Sequence, residues 1–152
     1  MWDDLKLEID MCAKCVLEKI RIKPIIGEGN KNADILFVLD SISEEEDNKQ
    51  KLLADKNSEY FKKFLEYSKI DTEKCYFTTL TKCSSHGNLI DEDSILRCHE
   101  FLIAQIALIN PKYIVTVGER ATRFFLQNMI KEDIRNLVGQ MYDFYGEIKI
   151  VP

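Results

Sequence analysis

The chain has 152 residues, of which 45% are hydrophobic, and a formal net charge of −5 at pH 7. This length predicts one domain spanning residues 1–152, and the acidic balance excludes a surface that is basic overall while allowing a local basic patch. No apolar run approaches the roughly 20 residues that cross a bilayer, and the acidic N-terminus does not resemble a secretory signal, so we expect a cytoplasmic protein without membrane contact.

Three segments in the middle of the chain and one at its end are predicted to be β-strands. The first three, Ala33 to Asp40, Cys75 to Leu80 and Lys112 to Gly118, are nearly continuous in apolar, β-branched and aromatic residues. Such runs are typical of strands that are buried on both faces of a parallel sheet. The fourth segment, EIKIVP at residues 147–152, alternates more between polar and apolar residues.

Helical patterns separate these strands at residues 58–69, 91–109 and 119–130. The first pattern predicts one helix face that carries four apolar residues, Tyr60, Phe61, Phe64 and Leu65. Strands that alternate with helices of this length predict βαβ units. We therefore expect an α/β fold in which helices cover both faces of a parallel sheet.

The segment at residues 43–57 interrupts this regular pattern and is highly charged. It begins just after the carboxyl end of the first long strand, which is the edge where open α/β sheets bind ligands. Two interpretations remain open for this segment. It is either a solvated loop that leads into a helix or a loop that forms part of a functional site.

Cysteine spacing gives the strongest chemical signal. Cys12 and Cys15 form a C-x2-C pair, and Cys83 and Cys98 follow much later in the chain. Two close thiolates and two from later segments can complete a four-coordinate site for zinc or an iron–sulfur cluster, and spacing does not choose between these. A thioredoxin-like dithiol is disfavoured because the pair precedes the first strand. Cys75 begins a strand and is predicted to be a small buried residue.

The order of these segments resembles that of a known family. CAKCVLEKIR, IIGEGN, ADILFV, KCSSHGN, INPKYIVTVGERA and a late LVG are similar to segments of the family-4 uracil-DNA glycosylases, from about Cys12 to Pro152. The resemblance implies a three-layer α/β/α sandwich around a four-stranded parallel sheet. It also implies a structural [4Fe-4S] cluster that ties down the N-terminal segment, with four ligands: Cys12, Cys15, Cys83 and Cys98.

The catalytic motifs match this family less well. The family's G-E-A-P-G motif aligns with LDSIS, in which Asp40 keeps a carboxylate as a candidate catalytic group and Ser41 is a candidate substrate contact. The aromatic ring that stacks on the flipped base aligns with Leu53. The asparagine that reads the edge of uracil aligns with Thr79, whose single hydroxyl cannot supply the paired donor and acceptor of an amide.

The loop after the second long strand, KCSSHGNL, keeps part of another family motif. Lys82 is predicted to contact phosphates, and Asn88 is a second catalytic candidate, for water and sugar contacts. His86 is a weak candidate to replace the histidine of the family's H-P-S motif. That motif would follow a strand like EIKIVP, and the sequence ends at Pro152, just before it.

The resemblance therefore implies a uracil-DNA glycosylase-like iron–sulfur protein of DNA base-excision repair, with single- or double-stranded DNA as its partner. The departures from the motifs predict that catalysis is weak or lost in this chain. Any remaining activity would be that of a DNA N-glycosylase, a hydrolase that removes uracil or a related base. The alternative is a non-catalytic iron–sulfur domain of the same fold that binds DNA or a protein partner.

Overall fold

The structure is a computed structural model that describes residues 2–12, 17, 21–84, 92–126, 133–144 and 148–152. Its helices are α1 (Trp2–Asp10), α2 (Glu44–Lys49), α3 (Glu59–Tyr67), α4 (Glu92–Ile109), α5 (Glu119–Phe125) and α6 (Ile134–Leu137). Its strands are β1 (Glu28–Gly29), β2 (Ile35–Leu39), β3 (Cys75–Thr79), β4 (Tyr113–Val117), β5 (Tyr142–Asp143) and β6 (Lys149–Val151). The four predicted strands correspond to β2, β3, β4 and β6, and the three predicted helices to α3, α4 and α5.

The strands form one sheet in the order β1-β3-β2-β4-β6-β5. The four inner strands are parallel, which confirms the predicted four-stranded parallel sheet. The two-residue strands β1 and β5 add antiparallel edges that the sequence pattern did not predict. Gly27, just before β1, has φ +138°, and a Cβ there would lie 2.4 Å from the carbonyl oxygen of Phe77. The close approach of β1 to β3 therefore requires glycine at this position.

Helices cover both faces of the sheet, as the α/β pattern predicts. On one face, Leu36 of β2 and Ile114 of β4 form a buried cluster with Leu102 of α4. On the other face, Phe37 of β2 packs against α3, with its ring edge-on to Phe61 at 5.6 Å between centroids. Alternate residues of each strand point to opposite faces, so the continuous apolar runs supply both cores. The result is the three-layer α/β/α sandwich.

The N-terminal helix α1 lies against α4. Leu5 and Ile9 of α1 are buried in a cluster with Phe101 and Cys98 of α4. At the start of the helix, the Trp2 ring lies in contact with the sheet residue Tyr76. Among the helices in the described ranges, none is both long and apolar enough to span a bilayer.

Candidate functional site

The loops that follow β2 and β3 run side by side at the carboxyl edge of the sheet. Leu39 and Thr79 are paired at the ends of their strands, and the Leu80 N–H donates to the Leu39 carbonyl at 2.9 Å. Farther along, Ile42 and Ser84 form an isolated parallel bridge. Residues 40–43 and 79–84, which we call the sheet-edge site, therefore lie together where parallel sheets bind ligands.

Asp40 connects this edge to α5. Its Oδ1 accepts a hydrogen bond from the Ala121 N–H at 2.7 Å. Burial raises the pKa of the Asp40 carboxyl above its usual value, although hydrogen bonds from the backbone of Ala121 and Arg120 oppose this shift. A carboxyl group with a raised pKa at a sheet edge is suited to accept a proton. The carboxylate already accepts hydrogen bonds from the backbone at the start of α5, and its catalytic role stays a prediction.

Gly118 allows Asp40 to take this position. It has φ +118°, and a Cβ there would lie 2.4 Å from the Asp40 Cγ and Oδ2 atoms. A side chain at residue 118 would therefore be strained and would collide with the carboxylate. The position of the Asp40 carboxylate therefore requires glycine at residue 118, within VGERA.

Gly118→Ala is expected to lower the free energy of unfolding by about 3 kcal/mol, through backbone strain and displacement of Asp40. Gly139→Ala is the matched control, because Gly139 also has positive φ, at +84°, but a Cβ there meets no atom within 4 Å. Urea unfolding should show the smaller loss in the control, about 1 kcal/mol. Equal losses in the two variants would show that the contact with Asp40 contributes nothing.

Leu53 and Thr79, the two positions aligned with base-recognition residues, are both buried. The Leu53 N–H donates to Glu46 Oε2 at 2.6 Å, and its side chain belongs to the cluster of apolar residues around Phe37. The Thr79 hydroxyl donates to the carbonyl oxygen of Thr81 at 2.5 Å. Its proton is therefore committed within the chain, and only its lone pairs could meet a ligand.

The charged segment at 43–57 is neither a fully solvated loop nor a free acidic surface. It forms α2, which begins with a capping box between Ser43 and Glu46. Glu46 and Asp47 are buried, and Asp47 accepts hydrogen bonds from the backbone N–H groups of Ile22 at 2.8 Å and Lys23 at 3.3 Å. These two acids hold neighbouring backbone segments in place.

Lys82 lies inside the protein, with only 1% of its surface exposed. Its Nζ donates to Thr78 Oγ1 at 2.7 Å and to the carbonyl oxygen of Thr79. Burial lowers the pKa of Lys82 to about 8, while the charges of Cys98 and Cys83 act to raise it. The predicted phosphate contact would require the ammonium group to leave these partners. The structure instead places this charge beside two predicted metal ligands.

Sequence reasoning missed a buried polar network next to Lys82. Gln105 of α4 is fully buried, and its Nε2 donates to the Ile26 carbonyl at 2.9 Å. The Thr78 hydroxyl lies 3.0 Å from Gln105 Oε1 and 2.9 Å from the same carbonyl oxygen. The available signal was a single amide within the apolar helical stretch LIAQIALI. This network ties the segment before β1 to β3 and α4.

Three of the four predicted metal ligands are described, and each comes from a different segment. Cys83 follows β3, while Cys98 of α4 accepts a hydrogen bond at Sγ from the Lys82 N–H at 3.3 Å. Cys12 packs against the α1–α4 cluster that contains Cys98. Within the described ranges, no three Cys, His, Asp or Glu side chains form a group that could hold a metal ion. The fourth predicted ligand, Cys15, lies outside those ranges.

The chemistry around these cysteines fits a thiolate-bound metal group. A backbone N–H donor and a buried ammonium group both favour the thiolate form of nearby sulfur atoms. Arg21 donates from Nη2 to the Cys12 carbonyl, and its buried Nε has no hydrogen-bond partner in the described part of the chain. An unsatisfied buried donor beside Cys12 suits an acceptor such as a cluster sulfide. The chemistry of these residues therefore fits a cluster, although the described side chains do not form a group that could hold a metal ion.

The structure describes two of the four remaining predicted residues, Ser41 and Cys75, and the substrate role of Ser41 stays a prediction. His86 and Asn88 lie in the range 85–91, which is not described, so their roles stay predictions. Ser41 is half-buried in the loop after β2, within the sheet-edge site. Cys75 is fully buried in β3, as its position in the apolar run predicts.

Comparison with known proteins agrees with the fold. The profile of the Uracil DNA glycosylase superfamily matches residues 26–152. The type-4 uracil-DNA glycosylase of Saccharolobus solfataricus is 32% identical over 145 residues, which cover 91% of this chain and 67% of the relative. Its counterpart from Thermotoga maritima is 31% identical over 95% of this chain and 75% of the relative. That of Sulfurisphaera tokodaii is 30% identical, covering 98% and 70%. The chain belongs to the uracil DNA glycosylase superfamily.

Proposed function

We propose that this chain is a DNA repair protein of the uracil-DNA glycosylase type that binds single- or double-stranded DNA at the sheet-edge site and releases uracil only slowly. Its relatives of similar sequence are named type-4 uracil-DNA glycosylases, which supports DNA as the partner. The observation that supports slow release of uracil is the hydrogen bond from the Thr79 hydroxyl to the Thr81 carbonyl. It uses the only proton that this side chain could offer to a base.

Base release makes demands that the sheet-edge site meets in part. The enzyme must hold a base outside the stack, at a cost of a few kcal/mol, and stabilise the negative charge that develops on the departing ring. Asp40, whose pKa is raised by burial, would orient or deprotonate an attacking water through its carboxylate. This is the part of the reaction that the site retains.

Base recognition is the part that is weakened. Leu53 supplies apolar contact but no aromatic ring, so a flipped base would lose its stacking partner. Thr79 offers no N–H, so the paired hydrogen bonds that distinguish uracil cannot form. Each buried polar group of the base left unpaired costs about 1–3 kcal/mol, or roughly tenfold in rate for every 1.4 kcal/mol.

The N-terminal segment is proposed to be held by a [4Fe-4S] cluster, with zinc as the alternative. Cys12, Cys15, Cys83 and Cys98 would hold it, and the Lys82 ammonium would offset part of the charge of its thiolate ligands. When bound, the cluster would supply a cross-link between distant parts of the chain rather than chemistry on the base. The separate origins of Cys12, Cys83 and Cys98 support this role, because they lie on the N-terminal segment, a sheet loop and α4.

A base-release assay tests this proposal. Wild-type protein incubated with an oligonucleotide containing one uracil, single- or double-stranded, should release the base barely above background. Thr79→Asn, which restores an amide at this position, should raise the rate about tenfold or more. Asp40→Asn keeps the acceptor for the Ala121 N–H but removes the charge, and should abolish the residual activity. Robust wild-type release that is insensitive to Asp40→Asn would refute the proposed roles.

A second candidate function is a non-catalytic domain that binds DNA or a protein. The observation that favours it is that Asp40 and Thr79 both have structural partners, Ala121 and Thr81. The same assay separates the two functions when combined with binding measurements on an abasic-site oligonucleotide. Tight binding with no release in either wild-type or Thr79→Asn protein would support the non-catalytic function.

A further inference from the structure

Helix α3 exposes a row of aromatic side chains that the sheet does not use. Phe61 and Leu65 pack against the sheet, whereas Tyr60, Phe64 and Tyr67 point outward with 83%, 57% and 89% of their surfaces exposed. The sequence pattern predicted one apolar face for this helix, and the structure corrects this by placing Tyr60 and Phe64 on the outside. Residues at i, i+4 and i+7 lie on one helix face, so the three rings form a continuous row.

Exposed aromatic side chains are rare in the rest of the part that the structure describes. Among the described residues, four aromatic side chains are exposed, and three of them belong to this row. The fourth, Tyr113, is on β4 with 38% exposure. Single exposed apolar residues are common, but an aligned row of large rings usually marks a binding surface.

Several lysines lie near the row, although the protein as a whole is acidic. Lys56, Lys62, Lys63 and Lys69 are all exposed, and in the described part of the chain no ion pair involves any of them. Lys63 lies directly beside Phe64 and one helical turn from both Tyr60 and Tyr67. The same fourteen residues hold two exposed acids, Glu59 and Glu66, so four lysines and two glutamates give this segment a net charge of +2 in a protein of net charge −5.

We propose that Tyr60, Phe64 and Tyr67, with the lysines around them, form a stacking surface for single-stranded nucleic acid. Aromatic rings that alternate with cations are the combination by which proteins bind single strands without reading their sequence. The row spans about 10 Å of helix, which matches about three stacked bases. A duplex does not fit this chemistry, because its base faces are covered by neighbouring pairs. A protein partner with an apolar surface would not need the cations beside the rings, whereas a polyanion would.

This surface is separate from the sheet-edge site and goes beyond the proposed function. Phe61 and Leu65 turn the inner face of α3 toward the sheet, so the exposed row faces away from it. Binding there requires neither uracil, nor Asp40, nor the cluster. A protein with no glycosylase activity could still hold a single strand on α3.

Fluorescence anisotropy with a labelled twelve-residue oligothymidylate, which contains no uracil, tests this proposal. Tyr60→Ser combined with Tyr67→Ser should weaken binding about tenfold or more, because each lost ring removes a stacking contact. Lys62→Gln combined with Lys63→Gln should reduce the slope of log affinity against log salt by about 1.4, since each single-strand phosphate contact contributes about 0.7. Circular dichroism melting should confirm that all these surface variants fold.

Tyr113→Ser is the matched control, since it removes an exposed tyrosine from another part of the protein and should leave oligonucleotide affinity unchanged. Absence of wild-type binding, or unchanged affinity in the Tyr60/Tyr67 double variant, would overturn the proposal. A double variant that binds the oligonucleotide normally but loses a protein partner would assign the surface to protein binding instead.

Discussion

Cys98→Ser is expected to yield protein that lacks iron and unfolds at a clearly lower urea concentration than the wild type. Cys98 is on α4 and accepts a hydrogen bond from the Lys82 N–H, so a metal group bound there would join α4 to the loop after β3. Because the unfolded chain cannot preserve such a site, the binding free energy of the cofactor contributes directly to folding. We expect the free energy of unfolding to fall by several kcal/mol. The visible absorption of the protein should also disappear.

Cys75→Ser is the matched control for this experiment. Cys75 is a fully buried thiol in β3, and its Sγ lies 3.4 Å from the Asp71 carbonyl rather than beside Lys82. It should keep the full iron content and show only the modest destabilisation of a buried polar replacement, about 1–3 kcal/mol. The cluster assignment fails if Cys98→Ser retains iron, or if Cys75→Ser loses it to the same extent.

In metal-free protein, Lys82 is expected to make the free energy of unfolding rise as the pH increases from about 8 to 10.5. Burial lowers the pKa of Lys82 from 10.5 to about 8 in the folded state. Between these values the unfolded chain binds a proton that the folded chain does not, so stability increases with pH and is lost again as the pH falls through 8. The expected rise is roughly 3 kcal/mol, which urea titrations at several pH values would measure.

Lys82→Met removes the titrating group and should remove most of this rise, which controls for the other groups that titrate in the same range. A wild-type pH profile that matches that of Lys82→Met would contradict the lowered pKa of the buried Lys82 ammonium group.

The parallel sheet could be predicted because its strands are apolar on both faces. Phe37 and Leu36 are neighbours in sequence, and each enters a different core, so the run contains no polar alternation. The short elements β1 and α2 could not be predicted in the same way. They depend on distant partners, such as the Asp47 carboxylate that accepts hydrogen bonds from Ile22 and Lys23. A run of acids is usually solvated, and its sequence does not reveal that backbone donors more than twenty residues away will bind Asp47 in the interior.

The position of the candidate site could be predicted from the ends of the strands, but the contacts of its side chains could not. Asp40 and Thr79 lie at the carboxyl edge because each follows or ends a parallel strand. The direction of the Lys82 side chain could not be predicted, because it depends on acceptors from Thr78 and Thr79 and on the nearby Cys98. The spacing of the four cysteines predicted a metal site but did not distinguish zinc from an iron–sulfur cluster. Only the resemblance to a family implied that the group is a [4Fe-4S] cluster.

The most direct test of the proposed cluster is a count of iron, acid-labile sulfide and zinc in wild-type protein purified without oxygen. We expect a brown protein with four irons and four sulfides per chain, the composition of one [4Fe-4S] cluster. A colourless protein that carries one zinc and no sulfide would contradict the assignment of the cluster to Cys12, Cys15, Cys83 and Cys98, while leaving the sandwich fold unaffected.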